Sequence, residues 1–179
     1  QLRHASADEN PDLYWAVRGA GPGFFGVVTR LWLKLHPLPK AIHASDYIIP
    51  LDKLDETSAI SDRLVNSTLD KRVELINLLA HNPVAPAGTR SEDAKICFVT
   101  AFAFGDSAEE SIDLLAPITT SKLGKLSLHK EENLSFSYEG LYNKYFSLQV
   151  PAGMMARYKV DNVMTDEPAK VLHDLASHF

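Results

Sequence analysis

Glycines that could approach a cofactor lie close together near the start of the chain. The stretch GPGFFG, from Gly21 to Gly26, matches the G-x-G-x-x-G pattern with which dinucleotide-binding folds hold a pyrophosphate. In those folds the glycines form the turn between a strand and a helix, and an acidic residue about 20 positions further on binds the ribose. Asp46 lies at a comparable distance. The pattern raises the hypothesis of a dinucleotide site, which the flanking sequence can test.

The segments on either side of the glycines do not fit that fold. NPDLYWAVRG, before them, predicts a short helix with Asn10 as its cap and Pro11 in its first turn. VVTRLWLKLH, from Val27 to His36, alternates strictly and predicts a half-buried strand. The order helix, loop, strand is the reverse of the Rossmann order, and the prolines of HPLPK leave no room for a crossover helix. We therefore interpret the glycines as a tight turn or a close approach of the backbone to another group.

Composition limits what that group could be. The 179 residues are 45% hydrophobic and carry 18 Lys and Arg against 23 Asp and Glu, a net charge of −5. Such a chain can bury a core, and it lacks the basic stripe that nucleic acids require, so no nucleic-acid partner is expected. No apolar run approaches the roughly 20 residues of a membrane span, so no membrane partner is expected either.

Cysteine and histidine give no sign of a metal site. The single cysteine, Cys97, lies in the apolar run KICFVTAFAF, which predicts a buried, unreactive thiol and excludes an internal disulfide. The seven histidines have no ligand spacing. We expect no metal.

Strand and helix patterns follow one another in a regular series from Ala41 to Lys130. Their order is β-α-β-β-α-β, which predicts an α+β fold whose antiparallel sheet has helices packed on one face. The first helix directs Leu54, Ile60 and Leu64 inward, and the second has a capping box from Ser107 and is expected to stop at Pro117. The six segments are AIHASDYIIP, DKLDETSAISDRLVNSTL, VELINLLAH, KICFVTAFAFG, SAEESIDLLAP and GKLSLHK.

Three further elements follow this core. They are a helix around SYEGLYNKYF, a strand ARYKVDNVM and a last helix in PAKVLHDLASHF. No stop signal follows that helix, so we expect the domain that contains these elements to be truncated at its C-terminus.

A longer signature around the glycines resembles a known family. Residues 5–39, ASADENPDLYWAVRGAGPGFFGVVTRLWLKLHPLP, resemble the end of the flavin-binding domain in FAD-linked oxidases of the vanillyl-alcohol oxidase, berberine bridge enzyme and 6-hydroxynicotine oxidase superfamily. The shared pattern runs from Ala5 through Pro11-Asp12-Leu13, an aromatic residue and Trp-Ala to Arg18-Gly19, the glycine loop and Phe25-Gly-Val-Val-Thr. Many members have asparagine where this chain has Phe24, and Pro22 removes an amide donor.

The resemblance implies an arrangement of domains and a cofactor. Residues 1–39 would be the C-terminal end of a FAD-binding domain, and residues 40–179 a substrate-binding domain. The glycine loop would line the FAD site, with contacts from Gly21, Gly23, Gly26, Val27 and Val28. Without the resemblance, the glycines would be interpreted as a helix end and a tight turn. The partners implied are a small-molecule substrate and the remainder of the FAD-binding domain.

The implied activity belongs to the longer protein. It would oxidise an alcohol, amine or related small substrate by hydride transfer to FAD, with reoxidation by oxygen, and the isolated chain is expected to be inactive. In the family the sheet of the substrate domain covers the flavin ring, so polar residues on a sheet face are weak catalytic candidates, although each could also lie on a solvated face. They are Tyr47, His129, Arg157, Tyr158 and Lys159.

Two questions stay open at the level of the sequence. A β-α-β-β-α-β domain could instead be a non-catalytic, ferredoxin-like module that binds a small ligand or forms dimers, because fold alone does not decide function. The patterns NST at Asn66 and NLS at Asn133 are glycosylation acceptors that also arise by chance, so the protein could be cytoplasmic or secreted.

Overall fold

The chain divides into two compact units. The computed structural model describes residues 1–67, 69–82, 85–90, 94–149 and 165–177. The first unit is Gln1–Pro37 and the second is Leu38–Phe179. Among the described residues there are four strands in one antiparallel sheet and six α-helices, so the fold class is α+β.

The first unit contains helix α1, Pro11–Val17, and a 3₁₀ turn, Gly21–Gly23. Pro11 and Asp12 occupy the first turn of α1, where a missing N–H costs nothing and a carboxylate complements the helix dipole. Asn10 occupies the N-cap position of α1, as predicted, but it has φ +48° and its side chain makes no capping hydrogen bond. Its side-chain amide donates instead to the carbonyl of His4, at 2.7 Å.

The strand predicted from Val27 to His36 does not form. The residues of this segment have no strand pairing and are exposed, with 91% of Val27 and 90% of Leu35 accessible. A strand needs a neighbour to pair its backbone N–H and C=O groups, and the described residues of the first unit contain no other strand. Alternation alone was therefore not sufficient.

The second unit is built on a four-stranded sheet. The strands are β1 (Ala41–Pro50), β2 (Val73–His81), β3 (Lys95–Gly105) and β4 (His129–Phe136). They lie in the order β2-β3-β1-β4, and each adjacent pair is antiparallel. β1 is central, and its residues from Ile42 to Ile49 are all buried, which shows that both faces of the sheet are covered there.

Helices α2 (Leu54–Ser67) and α3 (Ala108–Thr119) cover one face, which we call the helix face. The predicted inward residues Leu54, Ile60 and Leu64 of α2 are buried in this core, together with Leu115 of α3. The sheet contributes Tyr47, Ile49, Cys97 and Val99, and α6 (Pro168–Ala176) contributes Leu172.

The ends of α3 follow their sequence signals in part. The Ser107 hydroxyl accepts a hydrogen bond from the Glu110 amide, and the Glu110 carboxylate accepts from the amide of Asp106. The prediction that Pro117 stops the helix was wrong. The helix continues to Thr119, and the Thr120 amide donates a hydrogen bond to the Ala116 carbonyl. Because proline has no backbone N–H, α3 lacks one internal hydrogen bond at Pro117 but continues past it.

The last strand predicted for the β-α-β-β-α-β core was misplaced. GKLSLHK, residues 124–130, was expected to be extended, but α4 occupies Leu123–Leu126 and β4 begins at His129. Leu123 is fully buried in the core, and this burial fixes a helical turn where the apolar alternation indicated a strand. Among the described residues, the following HKEENLSF pairs only with β1, and its polar composition, typical of an edge strand, hid it from the apolar pattern.

Helix α5, Tyr138–Gln149, corrects the expectation of helices on one face only. Its Lys144 contacts Asp46, Phe102 and Phe136, which lie on the side of the sheet opposite to the helix face. We call this side the second face. The predicted strand ARYKVDNVM, residues 156–164, lies outside the described residues.

Candidate functional site

The glycine loop of the first unit is a short turn with an accessible backbone. Gly21 has φ +50°, which a residue with a side chain adopts only under strain. The Gly23 amide donates to Ala20 and the Phe24 amide to Gly21, which closes the 3₁₀ turn. The turn follows α1 through Arg18, whose guanidinium lies 5.0 Å from the centre of the Tyr14 ring.

Space beside the glycines fits a group that passes over the backbone. A Cβ atom added at Gly19, Gly21 or Gly23 would meet nothing within 4 Å. Trp15, Ala16 and Arg18 line a shallow depression with Gly19 and Ala20. An open, side-chain-free backbone next to a depression is compatible with a flat or phosphate-bearing cofactor, so the residues present fit such a group.

Gly26 differs from the other glycines of the loop. A Cβ atom there would come within 2.9 Å of the Phe24 ring, so a side chain at this position would require that ring to shift. The Phe24 and Phe25 rings lie 4.9 Å apart. Val27 and Val28, which follow, are exposed.

A buried charged cluster lies on the second face of the sheet. Asp46 of β1 and Thr100 of β3 are register partners, and the Thr100 hydroxyl donates to the Asp46 carboxylate at 2.6 Å. The second carboxylate oxygen of Asp46 accepts from the ammonium of Lys144. Only 11% of the Asp46 side chain and 15% of the Lys144 side chain are accessible.

Two aromatic rings complete the surroundings of Lys144. Its nitrogen lies 5.0 Å from the centre of the Phe136 ring and 5.6 Å from that of Phe102. Both distances are within the range of cation–π attraction. Among the described contacts, the ammonium thus lies against one carboxylate and two ring faces, which help to fix its position.

A second polar pair lies on the helix face. The Tyr47 hydroxyl donates to Glu132 at 2.8 Å, and Lys130 donates to the other oxygen of the same carboxylate, also at 2.8 Å. Burial, with the adjacent Glu132 carboxylate, raises the pKa of Tyr47 well above its usual range. Burial alone would raise the pKa of Glu132, but the hydrogen bonds from Lys130 and Tyr47 outweigh it and the pKa is lowered. The Tyr47 phenol therefore stays protonated and donates its hydrogen bond to Glu132.

Comparison with known proteins identifies the chain's relatives. It is 35% identical to the FAD-linked oxidoreductase nodO of Hypoxylon pulicicidum over 118 residues, which are 66% of this chain and 25% of that protein. It is 48% identical to the FAD-linked oxidoreductase janO of Penicillium janthinellum over 50 residues, 28% of this chain and 11% of that protein. It is also 54% identical to the (R)-6-hydroxynicotine oxidase of Paenarthrobacter nicotinovorans over 41 residues, 23% of this chain and 9% of that enzyme.

These relatives support the resemblance of the chain to the superfamily of vanillyl-alcohol oxidase, berberine bridge enzyme and 6-hydroxynicotine oxidase. No protein-family model matches it. It spans about a quarter of the length of the first of these relatives. The resemblance stated from residues 5–39 is thus confirmed at the level of the superfamily.

The residues predicted to contact FAD and those predicted to act in catalysis belong to different units. Gly21, Gly23, Gly26, Val27 and Val28 all lie in the first unit, whereas Tyr47 and His129 lie in the second. Tyr47 is fully buried on the helix face, and His129 is exposed at the start of β4, opposite Ile48. Arg157, Tyr158 and Lys159 lie outside the described residues. Their catalytic roles stay predictions.

Sequence reasoning missed the Asp46 cluster. Asp46 had been considered only as a ribose-binding residue of a Rossmann fold. The available signal was its position, because a carboxylate within the predicted strand AIHASDYIIP needs a partner if that strand is buried. Its partner Lys144 is 98 residues away in sequence, and no local pattern connects them.

The described part of the chain contains neither a candidate metal site nor a candidate membrane span. No group of three or more His, Cys, Asp or Glu side chains there could hold a metal ion. No helix there is long and apolar enough to cross a membrane.

Proposed function

We propose that this chain is part of a flavin-dependent oxidoreductase and that its glycine loop contacts FAD. The observation that carries the proposal is the positive-φ turn at Gly21, with open space beside three glycines, in a chain whose relatives are named FAD-linked. Gly21, Gly23, Gly26, Val27 and Val28 would contact the cofactor, mainly through their backbone.

The two units would then have different origins in the longer protein. Residues 1–39 would be the C-terminal end of the FAD-binding domain and residues 40–179 the substrate-binding domain. The division after Pro37 and the exposed, alternating residues from Val27 to Leu35 support this assignment. The strand order β2-β3-β1-β4 supports a β-α-β-β-α-β core in the second unit, with α4 and α5 as additions.

The cofactor would supply the redox chemistry. When bound, FAD accepts hydride from an alcohol, amine or related carbon centre and passes the electron pair to oxygen. This chain's residues would hold it, because the loop would present backbone groups without side-chain obstruction. A small organic molecule and the remainder of the FAD-binding domain are the partners that this role requires.

An absorbance spectrum tests the proposal. The longer protein, purified and desalted after incubation with FAD, is expected to retain about one flavin per chain. The 179-residue chain treated in the same way is expected to fold, remain colourless and show no activity. A longer protein that retains no flavin would refute the proposal, and a chain that alone retains stoichiometric flavin would refute the assignment of most of the FAD site to other residues.

A further inference from the structure

Arg18 is a cation for which the described residues supply no anionic partner. It lies at the C-cap position of α1, and its guanidinium is 5.0 Å from the centre of the Tyr14 ring. No carboxylate of the described residues forms an ion pair with it. Arg72, in contrast, pairs with both Asp70 and Glu110. The charge of Arg18 is therefore available to an anion from outside this part of the chain.

The guanidinium has a preferred position next to the glycine loop. A free arginine side chain loses rotamer entropy when it binds a ligand, and attraction to a ring face reduces that loss because it restricts the side chain beforehand. Arg18 lines the depression together with Trp15, Ala16, Gly19 and Ala20. A Cβ atom added at Gly19 would meet nothing within 4 Å. A charged donor and an unobstructed backbone therefore line the same space.

This combination fits a phosphate group. A guanidinium presents a planar fork of N–H donors that matches two phosphate oxygens, and it keeps its charge at every physiological pH. Backbone that carries no side chains allows the same group to come close. The oxidised flavin ring is uncharged, whereas the diphosphate that joins it to adenosine in FAD is anionic. The diphosphate is therefore the part of the proposed cofactor that an unpaired arginine suits.

We propose that Arg18 binds a phosphate of FAD and thereby positions the cofactor over the glycine loop. The inference rests on the proposed function, in which the adjacent residues Gly21, Gly23 and Gly26 contact the same cofactor. Arg18 would donate hydrogen bonds to phosphate oxygens, and Tyr14 would keep the guanidinium at the depression. Its role is in binding and not in the transfer of hydride.

Calorimetric titration of the longer protein in its flavin-free form tests the proposal with three ligands. FAD carries both the flavin ring and the diphosphate, riboflavin carries the ring without phosphate, and ADP carries the diphosphate without the ring. Arg18→Met removes the charge and keeps an unbranched side chain. It is expected to weaken the binding of FAD and ADP by about tenfold and to leave that of riboflavin unchanged. It should also make FAD binding less sensitive to salt, because salt screens the contact that is lost.

Arg30→Met is the matched control. Arg30 is also an exposed arginine of the first unit, and its guanidinium lies 5.8 Å from the centre of the Trp32 ring, but it is not among the residues that line the depression. We expect its affinities for all three ligands to equal those of the wild-type protein. Arg18→Lys keeps the charge but not the planar fork, so it should retain part of the affinity for FAD and ADP that Arg18→Met loses.

The possible results are distinguishable. Weaker binding of FAD and ADP by Arg18→Met, with riboflavin binding unchanged, supports a phosphate contact. Unchanged affinities, equal losses for all three ligands, or equal losses in Arg30→Met would show that the Arg18 charge only complements the C-terminal end of α1 or contacts another protein segment, and would overturn the inference. A wild-type protein that binds neither FAD nor riboflavin would overturn the proposed function itself, and the inference with it.

Discussion

Two segments that were predicted to be strands have different fates in this chain. Ala41–Pro50 forms the central strand β1, paired on both sides and almost entirely buried. Val27–His36 alternates more strictly than Ala41–Pro50 does, yet it forms no strand and leaves Leu31, Leu33 and Leu35 exposed. The difference teaches that alternation specifies which face of a segment is apolar, whereas a neighbouring strand decides whether the segment becomes part of a sheet.

The apolar side chains of Val27–His36 therefore require an explanation outside the first unit. Contacts within that unit are few: the His4 and Trp32 rings meet edge to face at 5.3 Å, and Arg30 lies 5.8 Å from the centre of the Trp32 ring. A row of exposed valine and leucine residues is characteristic of a surface that another element covers. On the proposed assignment, that element is the remainder of the FAD-binding domain.

The largest expected difference is between a charge placed at a buried valine and a charge placed at an exposed one. Val99, on β3, is fully buried beside Tyr47, whereas Val27 is 91% accessible. In the 179-residue chain, Val99→Asp should cost more than about 4 kcal/mol, enough to abolish cooperative unfolding, because it buries an unpaired carboxylate. Val27→Asp should change the free energy of unfolding by less than about 0.5 kcal/mol.

Denaturant titrations monitored by circular dichroism measure both effects. An equal loss of stability in the two variants would contradict the distinction between a buried segment and an uncovered one.

The next contrast concerns pH, and it is confined to the second unit. Burial raises the pKa of the Cys97 thiol to about 12. The unfolded thiol ionises with a pKa near 8.5, so the stabilising effect is complete below about pH 8.5 and is lost as the pH rises towards the folded value. Between about pH 8.5 and 10 the chain should lose roughly 1 to 2 kcal/mol more stability than Cys97→Ala does.

Urea unfolding of both proteins at several pH values checks this difference. The chosen range lies below the unfolded pKa of tyrosine, about 10, so Tyr47 contributes little to it. Parallel pH profiles for the two proteins would show that the thiol is not protected by burial.

Substitutions at two glycines, one in each unit, should have effects with different physical causes. A Cβ atom at Gly105 would lie 2.8 Å from the amide nitrogen of Ser111, so Gly105→Ala should lower the free energy of unfolding by about 1 to 3 kcal/mol. Gly21 has open space but φ +50°, so Gly21→Ala should leave the unfolding of the second unit unchanged and strain only the loop.

In the longer protein, Gly21→Ala should weaken FAD binding by about tenfold, because the strain is of the order of 1 to 2 kcal/mol. Gly19→Ala is the matched control, since Gly19 has equal space and no positive φ. Equal FAD affinities in the two variants would remove the evidence for a conformational requirement at Gly21.

The sequence predicted the parts of the fold whose signals are local. Apolar spacing predicted β1, β3 and the inward residues of α2, and the capping pattern at Ser107 predicted the start of α3. The missed features depend on distant partners: α4 forms because Leu123 enters the core, and β4 pairs with β1 in spite of its polar side chains. The Asp46–Lys144 pair joins residues 98 positions apart, which no short pattern can relate.

Amide hydrogen exchange from Val27 to His36 tests most directly the claim that the first unit belongs to a flavin-binding domain. The measurement compares the 179-residue chain with the longer, FAD-loaded protein. We expect rapid exchange in the chain alone, and exchange at least a hundredfold slower in the longer protein, where a neighbouring strand would pair these amides. Equally rapid exchange in the flavin-loaded protein would contradict the claim.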